Sequence, residues 1–273
     1  MVATFVVVPQ WQGSGSSRAM RLVDGADAIK GDLPASSTRV IDVPLEAGDS
    51  EGSGVSRLSS IAIVRDRLAR ELADIDGVAI TIGGDCGVEL AAIPHVAGDD
   101  VAVVWFDAHP DLNTPETSPS RAFGGMTLRA LLGEGAAPLI PATPLLPERV
   151  VLVGARSFDP GEDEYLESHG VASLGPTGFS AESLLAAVEA TGASTVYVHI
   201  DLDVIDPGEF SGAGDPQPFG LETSALLAAM RALLQRFPLV GAGVTGFAPA
   251  SPADAVDDMP TILRIIGALS AGA

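Results

Sequence analysis

Short, almost uninterrupted apolar runs separated by helix-like stretches constrain this chain more than any other feature. Seven such runs stand out: Thr4–Val8, Arg39–Val43, Val78–Ile82, Val101–Phe106, Arg149–Val153, Thr195–Ile200 and Leu239–Val244, with a weaker one at Val171–Leu174. A strand with one wet face alternates apolar and polar residues, whereas these runs do not alternate. They read as strands buried on both faces, as in a parallel sheet covered by helices. Between them, apolar residues at three- and four-residue spacing predict helices over Ser56–Ile75, Gly87–Val96, Thr127–Leu132, Ala181–Ala190, Glu222–Phe237 and Asp254–Leu269. Strand–helix alternation of this kind implies right-handed βαβ units and an α/β fold with one doubly wound, mainly parallel sheet. The stretches rich in Pro, Gly or Ser at Gly13–Ser17, Thr114–Ser120, Gly135–Pro147 and Pro207–Pro218 read as loops rather than linkers, so residues 1–273 are expected to form a single domain.

Composition narrows the function classes. The net charge is −21 and Lys30 is the only lysine, which excludes nucleic acid as an expected partner, because phosphate binding needs clustered Lys and Arg. An acidic surface serves solubility and is compatible with a small cationic substrate. The single cysteine, Cys86, rules out an intrachain disulfide and fits a reducing compartment. No apolar run approaches the roughly 20 residues that span a bilayer. Met1–Pro9 lacks the basic leader of a signal peptide. The expectation is a cytoplasmic protein without membrane association.

In doubly wound sheets, chemistry gathers beyond the carboxyl ends of the strands. Three predicted strands end in potential metal ligands. Val101–Phe106 runs into Asp107-Ala108-His109-Pro110-Asp111-Leu112-Asn113. In extended backbone, residues two apart point to one side, so Asp107, His109 and Asp111 can converge. Such oxygen and nitrogen donors suit manganese, zinc or iron. Thr195–Ile200 runs into Asp201-Leu202-Asp203; two acids at the end of a buried strand are costly unless a cation neutralises them. Val78–Ile82 runs into Gly83-Gly84-Asp85-Cys86, where Cys86 reads either as a thiolate ligand or as a small buried residue.

The segments Phe106–Pro115, His199–Pro207 and Gly83–Cys86 together resemble the metal motifs of the arginase–agmatinase (ureohydrolase) family. That resemblance implies a three-layer αβα fold and a binuclear manganese site, with a single metal or zinc as the alternatives. It also implies trimers or hexamers. By resemblance, Asp107 and Asp201 bridge the metals, Asp111 and the Cys86 position complete one, and His109 and Asp203 complete the other. The implied reaction is hydrolysis of a small linear amidine or guanidino compound by a hydroxide shared between the metals, with Asp111 orienting it as the catalytic residue. Asn113 and Ser120 fall where related arginases bind the amino-acid end of substrate.

Three positions depart from the family pattern. Cys86 stands where the family has histidine. Gly124-Gly125 stands where the family has His-Gly, whose histidine passes protons to the leaving amine. Gly246, three residues before Pro249, stands where a glutamate clamps the guanidinium. His199 reads either as a substitute acid or as a hydrogen-bonded residue behind the ligands. Arg121 and Arg129 read either as attractors of an anionic group or as surface charges. Besides the amidine hydrolase, two readings therefore stay open: an impaired family member acting as a binding or assembly subunit, and a mononuclear metallohydrolase of a different C–N substrate.

Overall fold

A computed structural model describes residues 3–273 of the chain. Its strands are β1 (Thr4–Val8), β2 (Thr38–Val40), β3 (Ala79–Gly83), β4 (Val101–Phe106), β5 (Val150–Val153), β6 (Ala172–Leu174), β7 (Thr195–Asp201) and β8 (Leu239–Thr245). They form one sheet in the order β2-β1-β3-β8-β7-β4-β5-β6, and every pairing is parallel. The second predicted strand is shorter than expected, ending at Val40 rather than Val43. It is an edge strand, and Pro44 just beyond it cannot donate to a ladder.

The helices are α1 (Arg21–Asp32), α2 (Leu58–Ala73), α3 (Glu89–Val96), α4 (Thr127–Leu131), α5 (Pro160–His169), α6 (Ala181–Ala190), α7 (Thr223–Arg236) and α8 (Pro252–Gly272). Two apolar cores sandwich the sheet. Phe5, Ile80, Val104, Val198 and Val244 pack with α1, α6, α7 and α8 on one face. Val6, Val103, Trp105, Leu152 and Tyr197 pack with α2, α3, α4 and α5 on the other. This is the expected three-layer αβα arrangement, and it explains the unbroken apolar runs: successive residues of a strand enter different cores. Among the described residues, no helix is long and apolar enough to cross a membrane.

Two helices escaped the sequence pattern. α1 carries glycines at positions 25 and 31 and buries only Leu22, Gly25, Ala26 and Ile29. α5 is strongly acidic and buries only Glu162 and Tyr165. Its start was nevertheless written in the sequence: Asp159 and Glu162 form a capping box around Pro160 at the first helical position.

Sheet order brings the ligand-bearing strands together. β3, β8, β7 and β4 are neighbours, with Ile82 level with Val244, Ile200 with Val244, and Phe106 with Ile200. The chain leaves β3 and re-enters at β4 across two intervening strands, which opens a crevice at the carboxyl edge between them. α1 is fixed close to this edge. A Cβ added to Gly25 would lie 2.0 Å from the carbonyl oxygen of Phe247, in the loop after β8. Gly25→Ala raises helix propensity by about 1 kcal/mol, yet overpacking against a backbone carbonyl costs about 1–3 kcal/mol. We expect a lower urea midpoint for Gly25→Ala; a higher one would mean that α1 is free to move off the loop.

Candidate metal centre and its cleft

The carboxyl edge carries a cleft of about 710 Å³ whose floor includes Cys86, Asp107, His109, Asp111, Asp201 and Asp203. All six sequence-nominated ligands therefore meet in one place. The four aspartates are at most 7% exposed. Among the described residues, the side chains that approach them as ion-pair partners are imidazoles rather than Lys or Arg.

Two sets of donor atoms converge. In the first, His109 Nδ1 lies 3.0 Å from Asp203 Oδ2 and 3.5 Å from Asp107 Oδ1. In the second, Cys86 Sγ and His199 Nε2 lie 3.9 Å and 3.7 Å from Asp107 Oδ2. Cys86 Sγ also donates to Asp201 Oδ2 at 3.3 Å. Asp107 belongs to both sets. Asp111 belongs to neither, although it lines the same floor, and its Oδ2 is buried with no hydrogen-bond partner among the described residues.

Local backbone geometry aims these groups. Asp107 Oδ1 accepts from the His109 amide at 2.7 Å, and Asp201 Oδ1 accepts from the Asp203 amide at 2.9 Å. Asp203 Oδ1 accepts from the Ala108 amide at 3.0 Å, tying the two motifs together. Asp111 has φ +53°, a left-handed conformation uncommon for a residue with a side chain. It is held there by the Arg129 amide, which donates to its carbonyl at 3.0 Å. The Arg129 guanidinium donates to the Leu112 carbonyl and stacks on Tyr165. Arg129 is thus a brace for the ligand loop, and Arg121 lies outside the cleft beside Pro115 and Glu116. The cations at the cleft wall are instead Arg18 and Arg21.

Burial governs the electrostatics. It pushes Asp111 and Asp203 well above the usual carboxylate range, and repulsion from neighbouring aspartates adds to the effect. Asp201 and the Cys86 thiol are raised for the same two reasons. Burial would raise Asp107 too, but the imidazoles of His109 and His199 beside it outweigh burial and hold that carboxyl low. In return, Asp107 and Asp203 overcome the burial of His109 and lift it to about 12. Crowded acids of this kind, with unpartnered oxygen and nitrogen atoms among them, fit one or more divalent cations.

The remaining nominated positions are also placed. Asn113 and Ser120 line the cleft; Asn113 Nδ2 donates to Asp159 Oδ2 at 2.8 Å, and Ser120 Oγ accepts from the Ala122 amide at 3.2 Å. Gly124 and Gly125 line it without side chains. Gly246 has φ +82°, and a Cβ there would lie 2.1 Å from Asp201 Oδ1, so the position cannot take a larger residue without moving Asp201. Sequence reasoning missed Asp159 and Glu162, which line the wall, and Glu89, which holds His199 Nδ1 at 2.8 Å. The capping box signalled the first two. An acid opening an otherwise apolar helix was the available signal for Glu89.

The comparisons agree with this architecture. The Arginase family model matches residues 20–261. An N(omega)-hydroxy-L-arginine amidinohydrolase from Streptomyces lavendulae is 30% identical over 268 residues, covering 94% of this chain and 90% of that protein. An arginase from Bacillus caldovelox is 33% identical over 201 residues, covering 66% of this chain and 67% of that protein. Among solved structures, Entamoeba histolytica arginase in complex with L-ornithine superposes with a TM-score of 0.85 at 24% identity, over 98% of this chain and 97% of that one.

Glu162 yields a pH signature. Its burial raises the carboxyl from an ordinary 4.5 to about 7, against the pull of the Asp159 and Leu112 amides that donate to it. Between those values the folded state keeps a proton that the unfolded chain releases, so stability falls as pH rises through the window. In metal-free protein, the stability advantage of wild type over Glu162→Ala should be largest near about pH 5 and shrink toward about pH 8. Parallel urea-denaturation profiles for the two proteins would contradict this.

Proposed function

Because this chain belongs to the arginase family, we propose that it is a metal-dependent hydrolase cleaving a C–N bond of a small linear amidine or guanidino compound. The observation that carries the proposal is the convergence of Asp107, His109, Asp111, Asp201 and Asp203 on the floor of one open cleft. In this reading Asp107, His109 and Asp203 would hold one ion, and Asp201, Cys86 and Asp111, on the same floor, would help to hold a second. The family resemblance makes manganese the expected ion. When bound, such ions would lower the pKa of water and offset charge developing on the amidine.

The chain's own residues then move the protons. Asp111 Oδ2, buried and without a partner, accepts the proton that the attacking water loses and returns it to the departing nitrogen. That second transfer falls to Asp111 because Gly124 offers no side chain. Asp159, hydrogen-bonded to Asn113, provides an acidic wall for a cationic end of the substrate, and Arg18 and Arg21 provide a basic one for an anionic end. An amidine bearing an amino-acid tail fits both, in keeping with the name of the Streptomyces relative. Gly246 removes the carboxylate that would grip a guanidinium bidentately, which favours a hydroxyguanidine or formimino group over plain arginine. A homo-oligomer, trimeric or hexameric, and a cytoplasmic location belong to the same proposal.

The side-chain-free positions Gly124 and Gly246 favour a second reading, a non-catalytic binding or assembly subunit. Full-length protein loaded separately with manganese and zinc, once its metal content is measured, separates the two. It would be assayed on N-hydroxyarginine, arginine, agmatine, guanidinobutyrate, guanidinopropionate and formiminoglutamate. We expect turnover of at least one, with Asp111→Asn lowering kcat by about 10²–10⁴-fold; metal-replete protein that cleaves none supports the subunit reading. Gly246→Glu should not create arginase activity. It should lower metal content instead, because its Cβ collides with Asp201.

A further inference from the structure

His199 is the most unusual side chain behind the cleft. It is fully buried, and its ring stacks on Trp105 with centroids 3.7 Å apart. Its Nδ1 faces Glu89 Oε1 at 2.8 Å, and Glu89 Oε2 accepts from the Tyr197 hydroxyl at 2.5 Å. β8 makes room for this group: Gly243 lies level with His199, and a Cβ there would sit 1.8 Å from Glu89 Oε1. With Nδ1 engaged by Glu89, the other nitrogen, Nε2, points at Asp107 Oδ2 and has no hydrogen-bond partner among the described residues. A buried nitrogen in that state is costly.

A cation would satisfy the nitrogen and its neighbours together. Cys86 Sγ, Asp107 Oδ2 and His199 Nε2 converge: Asp107 Oδ2 is 3.7 Å from His199 Nε2 and 3.9 Å from Cys86 Sγ, and all three donors lie within 4.8 Å of one another. Zinc–ligand bonds of about 2.0–2.3 Å in a tetrahedron give edges of about 3.3–3.8 Å. The carboxylate–imidazole pairing of Glu89 and His199 is the arrangement that orients histidine ligands and raises their basicity. We propose that His199, positioned by Glu89, joins Cys86 and Asp107 to bind a divalent ion of the zinc class, leaving its fourth position open. This inference rests on the metal-dependent reading above and changes its metal chemistry. One half of the centre, Asp107, His109 and Asp203, has only hard and imidazole donors, while the other gains a thiolate and a buried imidazole that favour zinc over manganese.

The test uses full-length protein stripped of metal and given one equivalent of zinc or cobalt(II). X-ray absorption of the zinc form should find one sulfur at about 2.3 Å and an imidazole on the same ion. The cobalt form should show the strong visible bands of a four-coordinate ion together with a thiolate charge-transfer band. Cys86→Ser should abolish the charge-transfer band. Glu89→Leu should weaken zinc affinity by about 10–100-fold in competition with a chromophoric chelator. An ion surrounded by oxygen and a single imidazole without sulfur, or a wild-type cobalt spectrum identical to that of Cys86→Ser, overturns the proposal. These two wild-type measurements hold even where a buried substitution such as Glu89→Leu fails to fold. They are also independent of turnover. A sulfur- and imidazole-bound zinc in a chain that cleaves no amidine removes the proposed activity and keeps this site; turnover with a sulfur-free ion does the reverse.

Discussion

The mutual repulsion of four buried aspartates is the constraint on which the rest of this structure depends. Asp107, Asp111, Asp201 and Asp203 sit together at the end of a sheet whose interior is otherwise apolar. Ionised carboxylates so placed are each destabilising by several kcal/mol unless something cationic meets them. The raised carboxyl groups of Asp111 and Asp203 express that cost directly. The imidazoles of His109, between Asp203 and Asp107, and of His199, facing Asp107, offset part of it from within the floor. The fold therefore holds an unbalanced cluster, and a cation is its natural complement.

Holding the acids in place requires rigid support, which the parallel sheet supplies. The register sets Asp201 level with Thr245 and ends β4 one residue short of Asp107, so the two shared acids emerge side by side. Amides at Ala108, His109 and Asp203 then fix the carboxylate orientations. The left-handed turn at Asp111 needs a brace as well, and Arg129, stacked on Tyr165 of α5, provides it. In this way an apparently peripheral acidic helix bears on the geometry of the floor.

Much of this was legible in the sequence, for identifiable reasons. The central strands are buried on both faces, so their apolar runs are unbroken and their ends sharp; β4 was read to the residue. Ligands at i, i+2 and i+4 past a strand end need only local geometry to be recognised. α1 and α5 were not legible, because a helix that lies partly against loops buries too few residues to display a 3.6-residue period. Glu89 and His199 lie 110 residues apart and meet only through the packing of α3 on the sheet. Nothing in the spacing of either residue points to the other, so His199 could be read only as one of two alternatives.

The departures at Cys86, Gly124 and Gly246 look like decay when taken one at a time, but the surrounding residues argue for remodelling. A site that had simply lost its ion would retain the cost of its acids with no return, and replacing any of them by a neutral residue of similar size would relieve it. All five acids and imidazoles of the two strand-end motifs are present instead. The histidine missing at position 86 is matched by an imidazole at 199 that approaches the same Asp107 oxygen from within the sheet. That imidazole has a carboxylate to orient it and a glycine on β8 to accommodate the carboxylate. Glu89, His199, Gly243 and Cys86 have to agree sterically for this to work, and an arrangement built from four cooperating residues is better explained by a centre that still takes a cation, with its donor set shifted toward sulfur and nitrogen.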